Sequence, residues 1–386
     1  MNIQEILNSF GYSEATYVTG RTSIADLFKV GKRCGVYVLQ FDNGEYYAGK
    51  TNDITRRYLD HRRNHLDIQT LRFVEKSPSD LAEFECSLIW ALEKNGINLR
   101  NIALTSMPKG TSDLDDIMSV ELQDEFIQDY SFIYSGNQRN NDEIIRHKND
   151  RRVSKFLRGP FARPAIRMLA AYIKSCIPAF NSAEMSFWSL TCFDNAQADG
   201  YVIARINVFW QEIFNIHVLS GAPYCSIFLC RSEIAKKFGS GLKGAANFRR
   251  SFPDVDIGDH RYIPGGHDQI NIFASYQSLF ELLREPAVLQ AMRLFALRLM
   301  RKGPSTYARS HCFALVDHVL REIMAEDGLQ PAQKPAKASP LAVVRIKQPP
   351  KLNLGWRQQV VQRDKQPRDT NSGRIKTRWR AALPVA

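Results

Sequence analysis

Two runs of β-forming residues flanking the tripeptide D-N-G at 42–44 constrain this chain more than any other feature. C-G-V-Y-V-L-Q-F (34–41) precedes the turn and E-Y-Y-A-G-K-T (45–51) follows it. Asn-Gly between β-type runs is a strong hairpin signal. Pairing brings Tyr37 and Tyr47 near each other across a small sheet. Asp53 then reads as the N-cap of a helix over 54–65. L-R-F-V-E (71–75) is a third short strand. Over 79–94 the residues Leu81, Phe84, Leu88, Ile89 and Leu92 recur at helical spacing, with Gly96 as a stop. Residues 34–102 therefore predict a compact β-β-α-β-α unit of α/β type.

The flanks differ in character. Residues 1–33 predict a helical extension, with a short helix, a loop and a second helix around 23–28. Residues 103–164 read as a helical connector, acidic and then basic. Its acidic half holds seven acidic and no basic residues from Asp113 to Asp129, with Ile117, Val120, Phe126 and Ile127 as an expected apolar face. The basic half, Arg139 to Arg167, is a candidate surface for a nucleic-acid backbone. Residues 165–328 alternate strand patterns with turn signals and close with helices at about 276–301 and 307–326. They predict a mixed, mostly antiparallel α+β region for target recognition or partner binding.

Charge sharpens the division. The formal net charge of the 386 residues is +12. From Pro331 onward there are thirteen basic residues against Asp364 and Asp369, so this segment carries nearly the whole imbalance. Rich in Pro, Ala, Gln and Lys, residues 329–386 read as a disordered basic arm that adds affinity for phosphates by counterion release. Absence of an eighteen-residue apolar run argues against a membrane span. The start, M-N-I-Q-E-I-L-N-S-F, lacks a secretory pattern. Seven cysteines without a C-x-x-C pair read as reduced thiols. A cytoplasmic location is expected. His260, His267, His311 and His318 lack ligand spacing and read as structural or surface residues.

The α/β unit also concentrates chemistry. Arg57 and His61 lie four apart on one helix face. Glu85 sits on the later helix. Two phenols, a guanidinium, an imidazole and a carboxylate suit phosphodiester hydrolysis. A carboxylate can hold a divalent ion, an Arg can stabilise the phosphorane-like charge, and a phenol or imidazole can take a proton from water. Each residue also has a bland explanation in sheet packing or a solvated helix face. Their order in the chain is what sets them apart.

At these residues the sequence resembles the GIY-YIG nuclease family. The half-motifs stand as G-V-Y (35–37) and Y-A-G (47–49), with Ala48 where Ile or Val is usual. G-K-T-N-D-I-T-R-R-Y-L-D-H and E-C-S-L-I-W continue the pattern through Arg57, His61 and Glu85. Asn98 matches the family's late Asn, with Asn101 as competitor. The resemblance covers 34–102. It implies a metal-dependent endonuclease acting on nucleic acid, DNA foremost, with Mg2+ as the ion and Mn2+ as the alternative. Glu85 would ligate the metal and Arg57 would steady the phosphate. Tyr37 would be the base or assist His61. Tyr47 would orient the water or phosphate, and Asn98 would hold the site together. Lys50, Arg56, Arg62 and Arg63 are candidates for backbone contact. Phage defence, restriction or mobile-element DNA processing fits a solitary nuclease with a second domain. A protein partner or homo-oligomer is compatible with that domain. The competing expectation is a catalytically idle module that binds or assembles without cutting.

Overall fold

The computed structural model describes residues 2–136, 138–139, 143–193, 201–260 and 262–326. The basic arm expected over 329–386 lies outside the described residues. The chain is of mixed α+β class, with one four-stranded and one six-stranded sheet.

The N-terminal part begins with α1 (Ile3–Ser9), capped by a reciprocal pair of Asn2 and Glu5. It continues through β1 (Thr16–Tyr17), β2 (Gly35–Phe41), β3 (Tyr46–Thr51), α2 (Ile54–Asn64), β4 (Ile68–Glu75) and α3 (Leu81–Lys94). Strand order is β1-β4-β2-β3, antiparallel throughout. Alternation sends Val36, Val38 and Ala48 to one face, where they pack with Leu81, Leu88, Ile89 and Leu92 of α3 and with Ile6 and Leu7 of α1. Tyr37, Leu39 and Phe41 face the other way, against Ile54 and Tyr58 of α2. Both faces of β2 are covered, which is why its sequence is apolar apart from Gln40. The second helix expected near 23–28 is only a 3-10 turn, Ala25–Leu27.

The connector contains a 3-10 turn (Asp113–Asp116), α4 (Val120–Gln128), α5 (Glu143–Arg146), α6 (Asp150–Leu157) and α7 (Ala162–Cys176). The expected apolar face holds at Phe126, which is buried, and fails at Val120, which is 48% exposed. Val120 is the first residue of α4, directly after the N-cap Ser119.

The C-terminal part contains β5 (Trp188–Cys192), β6 (Tyr201–Val208), β7 (Gln211–Leu219), β8 (Ala222–Leu229), α8 (Arg231–Phe238), α9 (Gly241–Ser251), β9 (Val255–Asp259) and β10 (Ile270–Ser275). Helices α10 (Tyr276–Arg284), α11 (Pro286–Met300) and α12 (Phe313–Glu326) close it. The order is β5-β6-β7-β8-β10-β9, and every neighbouring pair is antiparallel rather than mixed. The helix expected over 276–301 is two helices, because Pro286 cannot donate to α10 and instead starts α11. Strand β9 and the α8–α9 pair were not legible from spacing. Arg293 of α11 is 1% exposed and donates to the carbonyls of Ser175, Phe126, Asp129, Tyr130 and Phe132. It thereby caps the carbonyl end of α4.

Two contacts fasten α3 and the segment after it to the C-terminal part. Glu93 accepts from the Ser106 and Met107 amides and pairs with His267 Nδ1 at 3.0 Å. Lys302 donates to the carbonyls of Ala103, Thr105 and Pro264. His311 is buried against Glu184 at 3.0 Å, while its Nδ1 accepts the Leu190 amide. Among the described residues no helix is long and apolar enough to cross a membrane.

Candidate active site

The site grows from the hairpin register. Tyr37 lies opposite Gly49, and Leu39 opposite Tyr47, so the two tyrosines meet diagonally, with ring centroids 6.2 Å apart. A Cβ on Gly49 would stand 2.5 Å from Tyr37 Oη. The glycine of the second half-motif is therefore the space that Tyr37 occupies. A Cβ on Gly35 would run into the Val74 carbonyl and the Phe73 ring, so the first half-motif needs its glycine too.

Helix α2 completes this face. Asp53 accepts from the Thr55 and Arg56 amides and fixes the first turn. One turn apart, Arg57 and His61 then reach the same atom. Arg57 Nε donates to Tyr37 Oη at 3.1 Å. Tyr37 Oη lies 2.6 Å from His61 Nε2. With Arg57 donating to the phenol oxygen, the consistent assignment has the phenol donating to His61 Nε2 and the imidazole proton on Nδ1. Burial pushes His61 down to about 4, with Arg57 adding to the effect, so the ring is neutral at pH 7. Burial pushes both tyrosine phenols up. Tyr47 stacks edge-on against His61 at 4.7 Å.

Glu85 approaches from the opposite face, around the edge strand β3. That edge has open backbone groups on one side. Tyr46 bridges to Leu99, with its amide on the Asn98 carbonyl and its carbonyl taking the Arg100 amide. Two residues on, the Asn101 side chain accepts from the Ala48 amide at 3.0 Å and donates to the Ala48 carbonyl at 2.7 Å. One carboxamide thus does the work of a neighbouring peptide. Two residues further, Glu85 Oε1 accepts the Lys50 amide at 3.1 Å. Glu85 Oε2 is buried and pairs with Lys50 Nζ at 3.3 Å. Burial raises Glu85 even though Lys50 opposes it, and burial lowers Lys50. A carboxylate oxygen that takes one ammonium contact still has a lone pair to offer. Tyr12, from the N-terminal extension, adds a buried hydroxyl without a hydrogen-bond partner, its ring against Phe84. Nothing in its sequence setting marked it.

The expected residues separate as follows. Tyr37, Tyr47, Arg57 and His61 come together, and Glu85 reaches their edge. Asn98 does not join them: it is exposed, and its side chain takes a bond from Lys109. The structural role expected of it belongs to Asn101, which is 7% exposed. Leu99 decides this by turning inward at the Tyr46 bridge. Lys50 is committed to Glu85 rather than presented outward, because alternation puts it on the α3 side with Ala48. Arg62 caps its own helix through the His65 and Leu66 carbonyls. Arg56 and Arg63 are exposed. In the basic half of the connector, Arg139 pairs with Glu184 and Asp317, and Arg146 with Asp317. Those two are structural and do not form a backbone-contacting surface.

Among the described residues there is no group of three or more His, Cys, Asp or Glu side chains placed to hold a metal. A divalent ion would rest on Glu85 alone. That suits Mg2+, which commonly takes one or two carboxylates and completes its shell with water and phosphate.

Asn101→Ala leaves the buried Ala48 amide and carbonyl unpaired. A loss of roughly 2–4 kcal/mol is expected in denaturant unfolding, with Asn98→Ala near wild type. The reverse ranking would contradict the assignment. A second expectation concerns pH. The folded His61 value lies near 4 and the unfolded value near 6.5. The unfolded chain binds the extra proton between them, so stability is lost as pH falls through that window. At pH 5 the loss is about 2 kcal/mol relative to pH 7. His61→Gln should flatten this slope, and an unchanged slope would rule His61 out as its source.

Comparison with family models, curated proteins and solved structures finds no match for this chain.

Proposed function

We propose that this chain is a divalent-metal-dependent nuclease, cutting nucleic-acid phosphodiester bonds at the edge of β3, with DNA as the favoured substrate. The observation that carries the reading is the Arg57–Tyr37–His61 hydrogen-bond chain, set beside the buried carboxylate of Glu85. The sequence resemblance to GIY-YIG nucleases agrees with it.

Glu85 would hold the ion, and Mg2+ or Mn2+ would supply charge stabilisation at the phosphate oxygens. Arg57 projects its guanidinium at the same place and stays charged at any working pH. Tyr37, itself 1% exposed, would be the first member of a relay. A water proton passing to its Oη is matched by the phenol proton passing to neutral His61 Nε2. The high phenol value makes a standing phenolate unfavourable, so the relay needs His61 as its acceptor. Tyr47 walls the imidazole and limits its motion. Asn101 keeps β3 in register with Glu85.

One observation favours a second reading, that of an idle binding or assembly module. Lys50 Nζ already partly neutralises Glu85 without an ion. A nicking assay on supercoiled DNA and on RNA separates the two. The nuclease reading expects cleavage with Mg2+, none with EDTA, and a loss of at least ~100-fold in Glu85→Ala. Cleavage that survives Glu85→Ala would sink the site assignment. No cleavage with Mg2+ or Mn2+ on either substrate favours the idle module.

A further inference from the structure

The helical pair between β8 and β9 stands apart from the rest of the surface. Only Gly239 and Ser240 separate α8 from α9. Gly239 has φ 90° and Gly241 φ 62°, in the region that favours glycine. A Cβ on Gly244 would strike the Gly239 carbonyl, so the two elements close on each other at glycines. Phe238, Phe248 and Phe252 lock the inner side, with ring centroids 5.1 to 6.3 Å apart. The result is a fixed corner made of two short helices.

Its outer side is cationic with one apolar residue. Helix α9 has no acidic residue, and Lys243, Arg249 and Arg250 are all exposed. Leu242 is 83% exposed. Spacings of three and four place Leu242, Lys243, Ala246, Arg249 and Arg250 along one stripe. On α8 the side chains of Lys236 and Lys237 are 70% and 49% exposed, while their partners Glu233 and Glu285 are 7% and 19% exposed. The acids lie beneath and the cations outermost. Asp254, Asp256 and Asp259 bound the patch on the β9 side, and Asp259 is taken by Arg231 at 2.8 Å. Folding does not account for a leucine on a charged outer face.

We propose that α8 and α9 dock this chain on double-stranded DNA, with α9 in the major groove and α8 against the adjoining phosphates. A helix is about 10–12 Å across and the major groove about 12 Å wide. Lys243 can reach guanine acceptors or phosphate, and Arg249 and Arg250 reach phosphate. Leu242 meets a thymine methyl, and Ala246 lets the backbone approach closely. A short helix turned through a tight corner is the usual way to present such a face. A lone leucine is too little apolar surface for insertion into an anionic membrane. The choice of DNA as the polyanion rests on the nuclease reading, whereas the cationic face does not.

The test uses the full chain carrying Glu85→Gln, so that the probe stays uncut. Binding to a mixed-sequence duplex of about 30 base pairs is read by fluorescence anisotropy over a salt series. Adding Lys243→Gln and Arg250→Gln together should weaken binding at least ~10-fold near 150 mM salt and reduce the log–log salt slope by about two. Leu242→Ala should weaken binding with the slope unchanged. All of these side chains are exposed, so thermal midpoints should match the parent. Duplex binding unmoved by either substitution overturns the proposal, as does a parent that does not bind duplex. A loss of affinity for phosphatidylserine vesicles with duplex affinity intact also overturns it. Cleavage by the unaltered chain alongside unmoved binding separates this failure from failure of the nuclease reading.

Discussion

Tyr37 Oη is the atom on which the site depends. It sits in space left by Gly49, takes a hydrogen bond from Arg57 and lies 2.6 Å from His61. Those constraints come from two elements, β3 and α2. A side chain at 49 would move the ring. A shift of α2 by one residue would turn Arg57 and His61 away together. Burial then sets the protonation states: the imidazole is held neutral and the phenol protonated, so the two can exchange a proton without either carrying charge at rest.

The edge of β3 imposes the second constraint. An open edge leaves backbone groups that must find partners or invite another strand. Here the partners follow one another at two-residue steps: the peptide at Leu99, the carboxamide of Asn101 and the carboxylate of Glu85. The same bond that satisfies the Lys50 amide places Glu85 beside the Tyr37 face. Edge protection and placement of the acidic group are thus one arrangement. Glu93, two turns further along α3, ties that helix to the C-terminal part through Ser106 and His267.

Local chemistry made much of this legible. The D-N-G turn set the hairpin, period two set the opposite faces, and the four-residue spacing put Arg57 and His61 together. What stayed hidden depended on long-range partners. Asn98 and Asn101 flank the same leucine, and only the Tyr46 bridge reveals which of them turns inward. Lys50 resembles an exposed cation until Ala48, two residues earlier on the same strand, shows that it points to α3. Arg139 and Arg146 look like a basic surface because Glu184 and Asp317 are distant in sequence. Helix α9, with its glycines and sparse apolar residues, has too weak a period to stand out. Its outward cationic face emerges only once Phe238, Phe248 and Phe252 are seen to consume its inner side.

The relay through Tyr37 is tested most directly by removing one oxygen. Single-turnover cleavage of a DNA duplex with saturating Mg2+ is measured for wild type and Tyr37→Phe, with thermal unfolding of both. The relay predicts a rate at least ~100-fold lower in Tyr37→Phe, with the fold retained. A Tyr37→Phe protein that cuts within about twofold of wild type would contradict it.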